Sequence, residues 1–252
     1  MEQKLSNWAF SKKISYFLII MFFQMMVFSF FVMPSWAAKL ASLENVSGNV
    51  RVFTQGKKRG RKGISGASLL SKHIVKTLGD DASADIVFAS GSRVRIMPNS
   101  ELVLSKIEGG EKETDVNMKL AVGKIFNVVN KLSKNSRYSV STHTAIAGVK
   151  GTVFSVEAVS EKHAVLMVKE GSVDAANSNH PDKTVAVSDL HKTSVKGEDA
   201  PGEPVKMTPE EIAMFDLLED IYEAINEEIQ EEVQDAVMQQ LREEGTEFEF
   251  EN

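Results

Sequence analysis

The side chains in this 252-residue chain best suited to chemistry are a run of cations, one glycine-flanked lysine and five histidines. Lys57, Lys58, Arg59, Arg61 and Lys62 stand among three glycines within residues 56–63. Five positive charges on a flexible loop can hold lipid phosphates, an acidic polysaccharide or a carboxylate-rich helix. The plainer reading is a solvated hairpin loop between two strands. No aromatic residue interleaves the cations to stack on bases, so nucleic acid is not expected. Gly148-Val149-Lys150-Gly151-Thr152 has the residue types of a phosphate loop without its spacing. A strand pattern follows it, where a phosphate would need a helix N-terminus. The two glycines read as a turn between paired strands. His73, His143, His163, His180 and His191 show no metal-ligand spacing, and with no cysteine there is no thiolate ligand, nucleophile or disulfide. Ser and Thr cluster from Ser139 to Thr144 around His143, but no Gly-x-Ser-x-Gly turn presents a nucleophile. Alternating hydroxyls on an exposed strand face account for them. No catalytic residue, cofactor or metal is expected, and the chain reads as non-enzymatic.

Charge divides the chain into three parts. Residues 1–37 carry three lysines and one acid, residues 207–252 carry sixteen acids and the single Arg242, and the stretch between them is left at +7 within a total of −6. A basic body therefore precedes an acidic end. Lys4, Lys12 and Lys13 lead into an uncharged run from Ile14 to Met33, followed by Pro34-Ser35-Trp36-Ala37-Ala38. This is the order of a secretory signal, with cleavage expected after Ala37. The apolar run, about 20 residues, is long enough to serve as an inner-membrane anchor if it is retained. The lysines then keep the N-terminus inside and the rest of the chain outside. No cysteine follows the run, which excludes a lipoprotein.

The body, residues 38–190, alternates apolar and polar residues at period two. Ala84-Asp85-Ile86-Val87-Phe88, Arg93-Val94-Arg95-Ile96, Tyr138-Ser139-Val140-Ser141 and Thr152-Val153-Phe154-Ser155-Val156 read as half-buried strands. Ala89-Ser90-Gly91-Ser92 supplies a tight turn, so a hairpin is predicted over 84–97. Gly48, Gly123 and Gly171 each stand two residues before a β-branched residue, which suggests strands that open with a glycine-favouring backbone. No stripe at helical period appears between 40 and 190. The body is expected to be all-β, as a two-sheet sandwich or a short solenoid-like stack.

The body resembles a FecR domain over roughly residues 44–175. The resemblance is carried by Val46-Ser47-Gly48-Asn49-Val50, by His73 to Thr77, by Ala84 to Ser92 and by Pro98-Asn99-Ser100-Glu101-Leu102. It continues through Val140 to Ala145, through Gly148-Val149-Lys150-Gly151-Thr152-Val153-Phe154, and through Val168-Lys169-Glu170-Gly171-Ser172-Val173. His73-Ile74 stands where the family usually has a Gly-Asp pair. The resemblance implies a periplasmic β domain that senses or relays a binding event, with Gly148, Gly151, Thr152, Phe154 and Gly171 in structural roles. Only about 13 residues precede the apolar run, too few to fold into a cytoplasmic sigma-factor-binding domain.

Residues 191–207, rich in Pro, Gly and charge, read as a linker. Thr208, Pro209 and Glu211 then form a helix start with a capping box, and no Gly or Pro interrupts the chain until Gly245. An acidic amphipathic helix is predicted over 208–244, about 50 Å long, with an acidic tail at 245–252. Its apolar face includes Met214, Phe215, Leu218, Ile221, Tyr222, Ile225, Ile229 and Val233. That face needs a partner: the chain's own β domain, an unidentified envelope protein or a second copy. The chain as a whole reads as an exported FecR-like binding or signalling adaptor of the periplasm or cell envelope. The alternative is a structural envelope protein holding polysaccharide or anionic lipid through its basic loop.

Overall fold

The computed structural model describes residues 39–110, 113–222, 234 and 239. The export segment (1–37), the apolar-face positions Ile225, Ile229 and Val233, and the acidic tail lie outside the described residues.

Among the described residues, fifteen strands form one hydrogen-bonded sheet. They are β1 (Ala41–Thr54), β2 (Arg61–Lys62), β3 (Ala67–Leu69), β4 (His73–Phe88), β5 (Arg93–Ile96), β6 (Glu101–Gly109), β7 (Thr114–Val128) and β8 (Arg137–Ser141). After these come β9 (Ala145–Val149), β10 (Val153–Ser160), β11 (His163–Glu170), β12 (Ser172–Asn177), β13 (His180–Ser188), β14 (His191–Lys196) and β15 (Val205–Lys206). A helix, α1, covers residues 209–222, and Gln234 and Gln239 are also helical. The described helix is thus modest in length.

Three long strands fold this sheet over itself. The first half of β1 pairs with the second half of β4 (Ala41↔Phe88), and its second half pairs with the first half of β4 (Thr54↔His73), with register shifts between Glu44 and Asn49. The first half of β7 joins β6 and runs parallel to β8, while its second half joins β5 and β10. One layer therefore runs β3-β1-β4-β5-β7-β10-β11-β14-β15. The other runs β2-β1-β4-β6-β7-β8-β9-β12-β13. Side chains from both layers, including Leu43, Ile86, Leu104, Met118, Ile125 and Leu166, merge in one buried core. Within it Tyr138 stands edge-on to Phe88 and to Phe154, joining the layers, and its hydroxyl donates to Asn127 Oδ1 at 2.9 Å.

The expected hairpin over 84–97 is present: Ala84 faces Ile96, and Gly91 takes a φ of +78° in the turn. Two readings are corrected. Gly48 and Gly123 do not open strands but lie inside β1 and β7, where the strands bend between layers. The segment 191–207 is not a free linker, since it contributes β14 and β15 and buries Met207. Its short apolar spacing hid edge strands that need only one buried face.

Gly123 shows why a bend requires glycine. Its φ is +91°, and an added Cβ would lie 2.1 Å from Ser100 Oγ and 2.6 Å from Ser100 Cα. Gly123→Ala is expected to cost about 2–4 kcal/mol, combining backbone strain with displacement of β6. Gly56→Ala, also at positive φ but with nothing within 4 Å, should cost only about 1 kcal/mol. Urea denaturation of the two variants checks the difference.

Candidate functional site

Along the outer face of the first layer, the strand registers set one row of side chains side by side. Asp85 lies opposite Arg95, Arg95 opposite Phe126, Phe126 opposite Ser155, Ser155 opposite Met167 and Met167 opposite Lys192. Two apolar residues thus sit between a buried ion pair and a lysine. The alternation of each strand makes this row inevitable once the registers are fixed, because residues flanking a core position point outward.

α1 lies across this row. Its start is the expected capping box: the Thr208 amide donates to Glu211 Oε2 at 2.8 Å, and the Glu211 amide donates back to Thr208 Oγ1 at 3.4 Å. Lys192 on β14 donates to Glu211 at 2.6 Å, and Lys169 on β11 pairs with Asp216. In the middle Phe215, 2% exposed, stands edge-on to Phe126 with ring centroids 5.0 Å apart. Phe126, Met167, Met207, Phe215 and Leu218 form a second buried cluster, flanked by Met97, Val153, Val165 and Ile212. At the far end Tyr222 covers Asp85, its hydroxyl donating to Oδ1 at 3.4 Å. The Arg93 and Arg95 guanidinium groups lie 5.6 and 5.4 Å from its ring centroid.

Asp85 is fully buried and satisfied on both oxygens. Arg95 donates to it from Nε (2.9 Å) and Nη2 (3.2 Å), and Asn45 Nδ2 donates at 2.7 Å. A bidentate guanidinium offsets part of the cost of desolvating the carboxylate. Burial, then the Asp85 charge, pushes the Tyr222 hydroxyl well above the usual phenol range, so it stays a neutral donor. Burial works against ionisation of Glu211, but the bonds from Lys192 and the Thr208 amide outweigh it and hold the carboxyl below its usual range.

Of the predicted helix face, Phe215, Leu218 and Tyr222 are buried on the chain's own β domain. Met214 of that face is exposed at 38%, so the docked stripe is narrower than expected, and Leu217, outside the predicted face, is exposed at 60%. A 250 Å³ groove lies beside them, lined by Asp80, Asp81, Met97, Leu217 and Ile221.

The residues assigned structural roles gather at one corner. β9 and β10 are not paired with each other. Gly151 carries the chain from one layer to the other, and Gly171 carries it back between β11 and β12. A Cβ on Gly171 would come 2.7 Å from the Gly151 carbonyl oxygen, and Thr152 Oγ1 donates to the Ser172 carbonyl at 3.1 Å. The predicted turn between paired strands is therefore a corner between layers, sealed by fully buried Phe154. A cleft of 630 Å³ opens there, lined by Arg137, Ser139, Gly148, Lys150 and Asp174, whose charged side chains are all exposed.

Lys57, Lys58, Arg59, Arg61 and Lys62 are all exposed on the β1–β2 hairpin. His143 is exposed between β8 and β9. Three of the hydroxyls around it bond elsewhere: Ser139 accepts from Asn117, Ser141 donates to the Met118 carbonyl, and Thr142 accepts from the Thr144 and Ala145 amides, while the Thr144 hydroxyl is buried without a partner among the described residues. The sequence reading did not single out Asp85, Arg95, Phe126 and Met167. The available signal was an acid inside the apolar run 84–88 facing an arginine across a predicted hairpin.

Phe215→Ala is expected to weaken α1 docking by about 3 kcal/mol, read as lost amide protection over 209–222 with core strands unchanged. The depressed Glu211 carboxyl contributes docking stability that is complete above its ordinary value of 4.5 and is lost as pH falls through its folded value. Protection of α1, corrected for intrinsic exchange, should therefore fall under acid, and Lys192→Met should flatten that dependence.

Residues 75–174 match the family model described as FecR protein. The sequence matches no curated protein. Two crystal structures of a candidate anti-sigma factor from Parabacteroides distasonis ATCC 8503, at 1.65 and 2.50 Å resolution, are similar at 15% identity with a TM-score of 0.45. The match covers 56% of this chain and 62% of theirs.

Proposed function

With residues 75–174 a FecR-family domain, we propose that this chain is an exported, non-enzymatic signalling regulator that works by binding another protein in the periplasm or cell envelope. Its binding surface is the outer face of the first layer, and α1 is the element that covers it. The observation that carries this reading is the composition of the covered row. Phe126 and Met167 are apolar residues on the outside of the sandwich, beyond the main core, flanked by Lys169, Lys192 and Arg95. A β domain that needed only to fold could place polar residues there at little cost. An apolar centre with a charged rim is the make-up of a protein-binding patch. Here it is closed by a tethered helix whose acids match the rim.

A photo-crosslinking residue at Met167 tests the reading in envelope fractions. In the full chain the helix shields this position. Asp216→Lys, which sets a cation against Lys169, and truncation after Lys206 should each raise crosslinking to an envelope protein several-fold. Equal crosslinking with and without the helix, with the β domain still folded by circular dichroism, would count against a covered binding face.

A further inference from the structure

A second surface, independent of the helix-covered face, is formed by the edge ribbon from Gln55 to Lys72. It contains Lys57, Lys58, Arg59, Arg61, Lys62 and Lys72 and no acid. The ribbon is shaped by the fold. Arg61 Nη2 donates to the Ser68 carbonyl at 3.1 Å, the Gly63 amide to the Val50 carbonyl at 2.8 Å and the Gly66 amide to the Leu43 carbonyl at 2.8 Å. Gly60 lies against the Phe53 ring, where a Cβ would approach to 2.8 Å. Pairing adds cations from the neighbouring strands, because Lys62 lies opposite Arg51 and Arg51 opposite Lys76. Like charges on three adjacent strands repel. Lys76 has Glu101 at 2.7 Å, whereas Lys57, Lys58, Arg59, Arg61, Lys62 and Arg51 have no ion-pair partner among the described residues. One acid reaches the ribbon from β1, Glu44, which accepts from the Gly66 amide at 3.3 Å.

The same ribbon exposes two large aliphatic side chains, Ile64 at 60% and Leu70 at 56%. Cations that repel one another beside stranded aliphatic groups fit a surface offering both phosphates and hydrocarbon. We propose that this ribbon docks on an anionic phospholipid surface, the cations meeting headgroup phosphates while Ile64 and Leu70 enter the acyl boundary. The chain's own path supports this occupant over a soluble polyanion. Lys39, six residues beyond the end of the uncharged run 14–33, donates its ammonium to the Gly66 carbonyl at 2.6 Å. The β domain thus begins at the ribbon itself. A polysaccharide would leave Ile64 and Leu70 without a partner.

The test uses the chain from Ala38 onward, whose main core residues all lie between Ala41 and Val195. It is sedimented with vesicles of phosphatidylcholine, with or without one third phosphatidylglycerol, at about 0.1 M salt, where screening acts over about 10 Å. We expect binding to the anionic vesicles at least about tenfold stronger than to neutral ones, falling about tenfold in a Lys57→Ser/Lys58→Ser/Arg59→Ser variant. Ile64→Ser/Leu70→Ser should lose vesicle binding several-fold yet hold soluble dextran sulfate as the parent does. Melting curves confirm that each variant is folded, and the three lysine and arginine positions lie outside any strand. Equal binding to neutral and anionic vesicles would overturn the proposal. So would an Ile64/Leu70 variant that sediments like the parent, or capture of dextran sulfate with no vesicle binding. None of these results bears on crosslinking from Met167, so the two surfaces stand or fall separately.

Discussion

Everything in this domain depends on three strands that belong to both layers at once. β1, β4 and β7 each pair with different neighbours in their two halves, so the sandwich closes without separate corner loops at these points. The bend is possible only where the chain can take a positive φ and let another backbone approach closely. At Gly48 a Cβ would come within 2.8 Å of Ala82 Cα, and at Gly123 within 2.6 Å of Ser100 Cα. A side chain at either position would push the facing backbone away, because the core on each side is close-packed. Gly151 and Gly171 solve the same problem at a second corner, where the chain itself passes between layers.

This arrangement leaves one outer face that the domain must deal with. With the registers fixed, Asp85, Arg95, Phe126, Ser155 and Met167 cannot turn inward without turning a core residue outward. α1 resolves the conflict by burying Phe126 and Met167 under Phe215 and Leu218. Its ends are held differently. The start is fixed by charges at Lys192 and Lys169, and the last described turn by Tyr222 over a buried, already neutralised Asp85–Arg95 pair. The apolar centre supplies most of the affinity, on the order of 1.5–3 kcal/mol for each large side chain buried. The partly exposed ion pairs set direction and register. A helix held in this way can be released without unfolding the sandwich, since none of the main core's residues lies on it.

The edge ribbon shows the opposite solution. Strand edges invite pairing with other chains, and lysine-rich edges oppose it. Here the cations serve that end, yet their number exceeds what an edge needs, and the exposed Ile64 and Leu70 work against it. The close approach of Lys39 to Gly66 places this charged edge where the β domain starts. Charge is therefore distributed by position: basic along the edge next to the domain's beginning, acidic along the helix at its end.

The sequence alone was enough to read an all-β FecR-like body, the hairpin over 84–97, the capping box at Thr208 and Glu211, and the exposed basic loop. Each of these is local: alternation, a turn glycine, a cap and a charge run are written in residues a few positions apart. The buried status of Phe215, Leu218 and Tyr222 was also legible, because a helix cannot leave such a stripe in water. Which partner buries it was not, since that depends on the registers of strands separated by more than a hundred residues; Asp85 meets Tyr222 across a separation of 137. For the same reason the strands in 191–207, the mid-strand positions of Gly48 and Gly123, and the corner role of Gly151 were hidden. A glycine's local pattern shows that it bends the chain, but only the tertiary pairing decides which two layers the bend connects.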